Sequence, residues 1–451
     1  MNFTEQPFLF LLLATYGLWL LCRGHYRARI MVLLIASLIF YAYHAWYLVF
    51  LILAYCLVDW AVGLWIARSR RPGLPLAVGV AFNLAGLVYW KYTPLLLTTA
   101  VKLLLALDVH GLPAPPRGWQ IPLGISFYTF TGIAYMVDVY RRSTPVETNF
   151  LRFTLYKTFF PQLVAGPILR PRDFLVRLQP DTMPDRPEAP LEATLLLARG
   201  FFKKVVLADR IALAIDPFFS HVGDPSTHGV WSLPYVYLYA LQIYFDFSGY
   251  TDIARGLGLW FGFRWPDNFN LPYLAGSVQE FWHRWHITLS TWLRDYLYIP
   301  LGGSRRGKWR TYGNLMVTML LGGLWHGASW TFLLWGGLHG VFLVGSKLWS
   351  SCPLRERLRA LTGPAGWVWR AACVVLTFHA VCLAWCFFRL NVLAASLACV
   401  RQAVVFDADK CLVGGAADRS IWLLLALYGL LVAAALQWRR LPALAALREA
   451  P

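Results

Sequence analysis

Apolar runs recur along the whole chain, separated by short polar or basic segments. Residues 7–22 form the first run and are followed by Arg23, Arg27 and Arg29. Residues 30–67 are apolar over more than one crossing, since about 20 residues span a bilayer. The aromatic cluster at 44–47 suits an interface and divides that run in two. A basic loop at 67–73 precedes a crossing at 74–90. Residues 95–107 are apolar but short, which predicts a helix lying along the interface, and the Pro-rich stretch 111–118 closes them. Residues 121–139 cross again and end at Arg141 and Arg142. In FFPQLVAGPILRPRDF (159–174) the prolines and Gly166 break the helical pattern, tolerated at membrane depth only where protein or a cavity surrounds it. Residues 178–190 are polar. Residues 191–219 are apolar but interrupted by Lys203, Lys204, Asp209 and Arg210. Residues 234–249 predict a span ending in the polar segment 246–252. The aromatic residues, prolines and glycines of 256–272 predict a re-entrant or interfacial segment. Residues 371–388 and 421–436 read as late spans flanking a polar loop at 407–419.

This pattern predicts an all-α, polytopic integral membrane protein of roughly 10–12 membrane helices, with re-entrant or interfacial helices besides. Composition agrees. The 451 residues are 58% hydrophobic and 14% charged, where a soluble chain carries about a quarter charged residues. No soluble-like block interrupts the apolar runs, so a single membrane domain over 1–451 is expected. The first run lacks a basic leader and a small-residue cleavage site, so it reads as a retained span. The formal charge of +18 follows from Lys and Arg gathering in cytoplasmic loops. Two spans separate the loops at Arg23–Arg29 and Arg68–Arg71, which puts both loops in the cytoplasm and the N-terminus outside. The basic residues flank apolar runs rather than forming one face, which argues against nucleic acid as a partner; the lipid bilayer is the partner expected. The eight cysteines form no CxxC pair, so neither a zinc site nor a disulfide framework is indicated.

The candidate chemistry lies in residues 280–340. An ionisable group kept in an apolar run is by default functional, and a histidine suits proton transfer near neutral pH. His326 sits in LLGGLWHGASW, with glycines on both sides that let a backbone or ligand approach; the alternative is a histidine hydrogen-bonded between packed helices. His286 falls on a stripe of Trp282, Trp285, Leu289, Trp292, Leu293 and Tyr296 at helical spacing, which predicts a continuous helix facing protein or bilayer. His283 is offset and reads as structural. Asp246, Asp252, Arg255, Glu280, Arg294 and Asp295 crowd near the histidines in sequence, either pairing with one another or lining a cavity. Two histidines without cysteine or carboxylate at ligand spacing predict no metal.

Several segments carry a resemblance. PLGISFYTF (122–130), FFPQLVAGPILR (159–170), QIYFDFSGYTDIARG (242–256), NFNLPY (268–273), FWHRWHITLSTWLRDYLYIPLGGSR (281–305) and GGLWHGASWTFLLWG (322–336) resemble, in order, those of the membrane-bound O-acyltransferase (MBOAT) family. The similarity is greatest to the bacterial branch that O-acetylates alginate and cellulose, and more distant to the teichoic acid D-alanyl transfer proteins. It implies the MBOAT fold, with N-terminal spans at 1–110, a catalytic core at 120–345 and C-terminal spans at 371–451. It implies that His326 is the catalytic histidine and His286 the second family position. Trp285, Ser290, Arg294, Asp295, Tyr296, Trp325 and Asp246 are candidates for the substrate or donor cavity. His283 stands where the family pattern has arginine.

The resemblance further implies transfer of an acetyl group from a cytoplasmic thioester, acetyl-CoA, with no bound cofactor, in a bacterial inner membrane. His326 would be the general base for an acceptor hydroxyl, and His286 would position the donor or polarise its carbonyl. The implied partners are a polysaccharide synthase complex and a periplasmic SGNH-type, AlgX- or AlgJ-like, acetyltransferase. Acyl transfer to teichoic acid or peptidoglycan is the alternative within the class. A transporter that moves an acyl group or lipid without chemistry is the alternative outside it.

Overall fold

The structure, a computed structural model, describes residues 1–109, 119–163, 166–224 and 231–405. Every regular element among them is a helix. Short turns connect α1 (Gln6–Leu21), α2 (Tyr26–Ala42) and α3 (Leu48–Arg68), with the break after α2 at the aromatic cluster. α4 (Gly73–Leu87) passes through a π turn, Val88–Tyr92, into α5 (Thr93–Ala106). Residues Gly73–Ala106 are thus one 34-residue helix, and the separate interfacial helix expected at 95–107 is not formed. The wide turn lies just before Pro94, where it absorbs the missing backbone donor and lets the axis continue.

α6 (Ile125–Tyr140) runs antiparallel to α4: a side chain at Gly79 would meet Met136, while Lys91 reaches Ser126. The ends bearing Arg68, Gly73 and Arg141 therefore share one face. Arg141 donates twice to the Asp295 carbonyl at 3.1 Å, which brings the basic segment 294–310 to that face as well. A fully buried ion pair, Lys157 to Asp59, ties α3 to α7 (Phe150–Thr158). Asn83 adds a 2.6 Å hydrogen bond to the same carboxylate.

The Pro-rich break behaves as expected. Beyond α8 (Phe160–Leu163) the chain extends through buried Ile168 and Leu169. Its backbone is satisfied by protein: Ile168 N–H donates to Thr288 Oγ1 at 3.0 Å, and the Leu169 carbonyl accepts from Tyr156 at 3.1 Å. α9 (Pro190–Phe201) and α10 (Asp209–His221) flank a second π turn. α11 (Leu233–Trp260) continues straight through 246–252, where a helix end was expected. Its acidic residues are paired there, Asp246 with Lys204 at 2.6 Å and Asp252 with Arg199 and Lys203 at 2.7 and 2.6 Å. With these charges compensated, polarity does not end the helix.

α12 (Val278–Arg284) and α13 (Ile287–Leu293) precede the hairpin of α14 (Lys308–His326) and α15 (Trp330–Ser350). Those two helices cross backbone to backbone: a Cβ at Gly323 would lie 2.3 Å from the Phe332 carbonyl oxygen, and one at Gly336 2.3 Å from that of Met319. Close approach of this kind is the packing that small residues permit in membranes. α16 (Pro353–Arg359), α17 (Gly363–Arg389) and α18 (Leu393–Val404) follow. The late span at 371–388 lies inside α17. The one expected at 421–436, the polar loop at 407–419, Cys411 and the stretch 111–118 lie outside the described residues. Among the described residues, Leu48–Arg68, Gly73–Ala106, Trp330–Ser350 and Gly363–Arg389 are long and apolar enough to cross a membrane, and Gln6–Leu21 and Leu393–Val404 are shorter apolar helices. The chain is an all-α polytopic membrane protein.

Candidate active site

His326 is the last residue of α14, and Gly327 turns the chain into extended backbone. Ser329 then starts α15 by accepting the Thr331 N–H at 3.3 Å. The imidazole lies edge-on to Trp325, Trp335 and Phe388, with ring centres 4.8, 5.1 and 5.0 Å away. Phe130 fixes this end of α14: its ring stacks on Trp325 at 5.4 Å and on Trp292 at 3.7 Å. No described residue hydrogen-bonds the His326 ring.

His286 is not on a continuous helix, contrary to the stripe read from the sequence. The helix breaks there, between α12 and α13, and His286 takes a left-handed conformation at φ 42°. Such a conformation costs a non-glycine residue about 1–3 kcal/mol and persists only where its surroundings enforce it. Asn268 does so. Its carbonyl accepts Ile287 N–H at 3.0 Å, and its Oδ1 accepts the backbone N–H and hydroxyl of Thr288 at 3.1 and 3.0 Å. His286 Nδ1 lies 3.2 Å from that same Oδ1. Because Oδ1 already accepts a backbone N–H, it is an oxygen, so Nδ1 carries the proton. Nε2 of the neutral ring is then a hydrogen-bond acceptor. That atom is buried and has no partner among the described residues.

Both histidines open into one cavity of about 500 Å³, whose wall also holds Lys91, Asp246, Trp285 and Trp325. Four of the candidates named from the sequence, His286, Trp285, Trp325 and Asp246, thus join His326. The other four lie elsewhere. Ser290 and Arg294 line a second cavity of about 360 Å³, with His283, Lys347 and Tyr298. Asp295 bridges Arg294 and Arg170 at 2.6 and 2.8 Å, and Tyr296 donates to Asp138 at 2.9 Å. His283 is exposed. The sequence reading missed Lys91 and Asn268. The first carried a usable signal, a lysine inside the apolar run VYWKY. The second lay in plain view in NFNLPY, but only the fold brings it to His286.

The sequence pattern described as MBOAT, membrane-bound O-acyltransferase family, matches residues 82–393. The chain belongs to the membrane-bound O-acyltransferase family. It is 40% identical over 396 residues to the "Probable alginate O-acetylase AlgI" of Azotobacter vinelandii, covering 86% of this chain and 75% of that one. It is 35% identical over 405 residues to the peptidoglycan O-acetyltransferase of Helicobacter pylori, covering 82% and 73%. The teichoic acid D-alanyltransferase of Bacillus subtilis is more distant, 29% identical over 286 residues, covering 61% and 70%. The family match spans every cavity residue named above, Lys91 included, and membership makes the chain an O-acyltransferase.

Proposed function

We propose that this O-acyltransferase carries acetyl groups for an exported polysaccharide of the alginate or cellulose kind. The donor is a cytoplasmic thioester, acetyl-CoA, and the acceptor is a hydroxyl on a periplasmic partner transferase. The observation that carries the reading is the shared cavity of His326 and His286, walled by aromatic side chains and set between helices of a membrane protein. His326, with no hydrogen bond to other described residues, is the general base for a hydroxyl nucleophile that is weak on its own. His286, whose Nδ1 proton is held by Asn268, offers only the Nε2 lone pair to the cavity. It therefore positions a ligand by accepting a hydrogen bond from a donor group other than the reacting hydroxyl, whose one proton goes to His326, and does not polarise the acyl carbonyl. The second cavity, beside the basic face, is the entry for the charged donor, with Arg294 and Lys347 at its wall. The basic face is the cytoplasmic one, by the positive-inside rule, which places the N-terminus in the periplasm of an inner membrane.

Similarity to AlgI exceeds that to the D-alanyl relative in identity and coverage, which favours acetyl as the group moved. Mild alkaline hydrolysis of envelope polymers tests this. A strain lacking the gene should release less acetate than its parent, with ester-linked D-alanine unchanged. Loss of D-alanine at constant acetate would move the reading to teichoic acid.

A further inference from the structure

Lys91 sits on the π turn between α4 and α5, and is 8% exposed. Its Nζ donates to the Trp325 carbonyl and, at 3.0 Å, to Ser126 Oγ. Among the described residues no carboxylate pairs with it; Asp246, in the same cavity wall, is engaged by Lys204 at 2.6 Å. A buried cation without a carboxylate is costly and marks function in a membrane. What compensates it is the end of α14. The last carbonyls of a helix lack intrahelical partners and carry the negative end of its dipole. Tyr92, the next residue, closes the neighbouring carbonyl, that of Leu324, at 2.6 Å. Consecutive side chains thus hold the turn that bears His326.

An ammonium has three N–H groups, and two of them are engaged. Lys91 lines the cavity, so the third is available to a ligand there. Lys91 is the cationic donor of that wall: the His286 Nδ1 proton is held by Asn268, and the unpartnered indole N–H groups of Trp325 and Trp385 are neutral. We propose that Lys91 is a catalytic residue, binding the acyl carbonyl oxygen through this third N–H and stabilising the oxyanion. The inference rests on the acyl-transfer reading above. As the acceptor oxygen bonds to the acyl carbon, His326 takes the hydroxyl proton and the carbonyl pair moves onto the oxygen facing Lys91. The tetrahedral species then re-forms its carbonyl, the carbon–sulfur bond breaks, and the thiolate leaves as thiol with the proton from His326.

The test is thiol release from acetyl-CoA per folded protein, with the purified periplasmic partner transferase supplied as acceptor. Lys91→Met should lower kcat by about 10²–10³-fold, as loss of an oxyanion donor does, with KM for acetyl-CoA within about threefold. Lys91→Gln covers the case in which the first variant does not fold. It keeps a donor for the Trp325 carbonyl and loses the charge, and its kcat should fall similarly. Tyr92→Phe, which removes only the neighbouring cap, should retain kcat within about tenfold. A folded Lys91→Gln enzyme within about threefold of wild type in kcat would overturn the proposal. Equal losses in Lys91→Gln and Tyr92→Phe would also do so, reducing Lys91 to a helix cap. If folded wild type released thiol from no acyl thioester, the acyl-transfer reading itself would fail, independently of Lys91.

Discussion

Replacing His326 with alanine should remove acyl transfer almost completely, with a fall in kcat/KM of about 10²–10⁴-fold, the range a general base contributes. The protein should still fold. The ring packs edge-on among three aromatic side chains and holds no helix end by hydrogen bonds, so its loss leaves a hole without orphaning a partner. His326→Gln keeps most of the volume and has no basic nitrogen, and should be as inactive as the alanine variant. His286→Ala should be impaired less, because it removes orientation and not the base. His283→Ala should lose far less than His326→Ala, since that side chain is exposed at the wall of the second cavity and away from the catalytic one. Thiol release from acetyl-CoA with the partner transferase as acceptor, normalised to protein that elutes as a single folded species, measures all four. A folded His326→Ala enzyme with a tenth or more of wild-type activity would remove His326 from the chemistry.

The largest effect on stability is expected at Asp59 and Lys157. Both side chains are fully buried, and Asn83 completes the carboxylate's hydrogen bonding. Removing one partner leaves a desolvated charge with no counterion, which costs about 3–5 kcal/mol. Asp59→Ala and Lys157→Met should each lower the melting temperature of the detergent-solubilised protein sharply, or prevent its accumulation. The double variant Asp59→Asn/Lys157→Met removes both charges and should recover much of the loss, because the penalty belongs to the unpaired ion. Gly132→Ala belongs to the same site, where a Cβ would stand 2.0 Å from Asp59 Oδ2. A double variant no more stable than the worse single one would show that the pair is not coupled as described.

The fold class and most helix ends were legible because membrane sequence is constrained by hydropathy and length. The division of 30–67 at its aromatic cluster and the buried break at 159–174 follow from that constraint. Two elements departed from it for reasons that are not local. α11 runs through 246–252 because Lys204, Arg199 and Lys203, about 40–50 residues earlier, compensate its aspartates. The helix expected across His286 breaks because Asn268, 18 residues earlier, takes hold of the backbone after it. Periodicity cannot report either contact. The two histidines themselves were visible as ionisable groups in apolar sequence. By the same criterion Lys91 was visible too. Its contact with Trp325, 234 residues later, is what gives it a place at the site.

Sided acyl transfer tests the central claim most directly. The purified protein is reconstituted in lipid vesicles, and molecules with the Arg68–Arg71 loop outward are selected by labelling of a cysteine placed there. Radiolabelled acetyl-CoA is supplied outside and the periplasmic transferase enclosed within. The account predicts that label appears on the enclosed transferase, that it does not when His326 is alanine, and that acetyl-CoA enclosed on the opposite side is not used. Label transferred equally from both faces, or transferred by the His326→Ala protein, would contradict it.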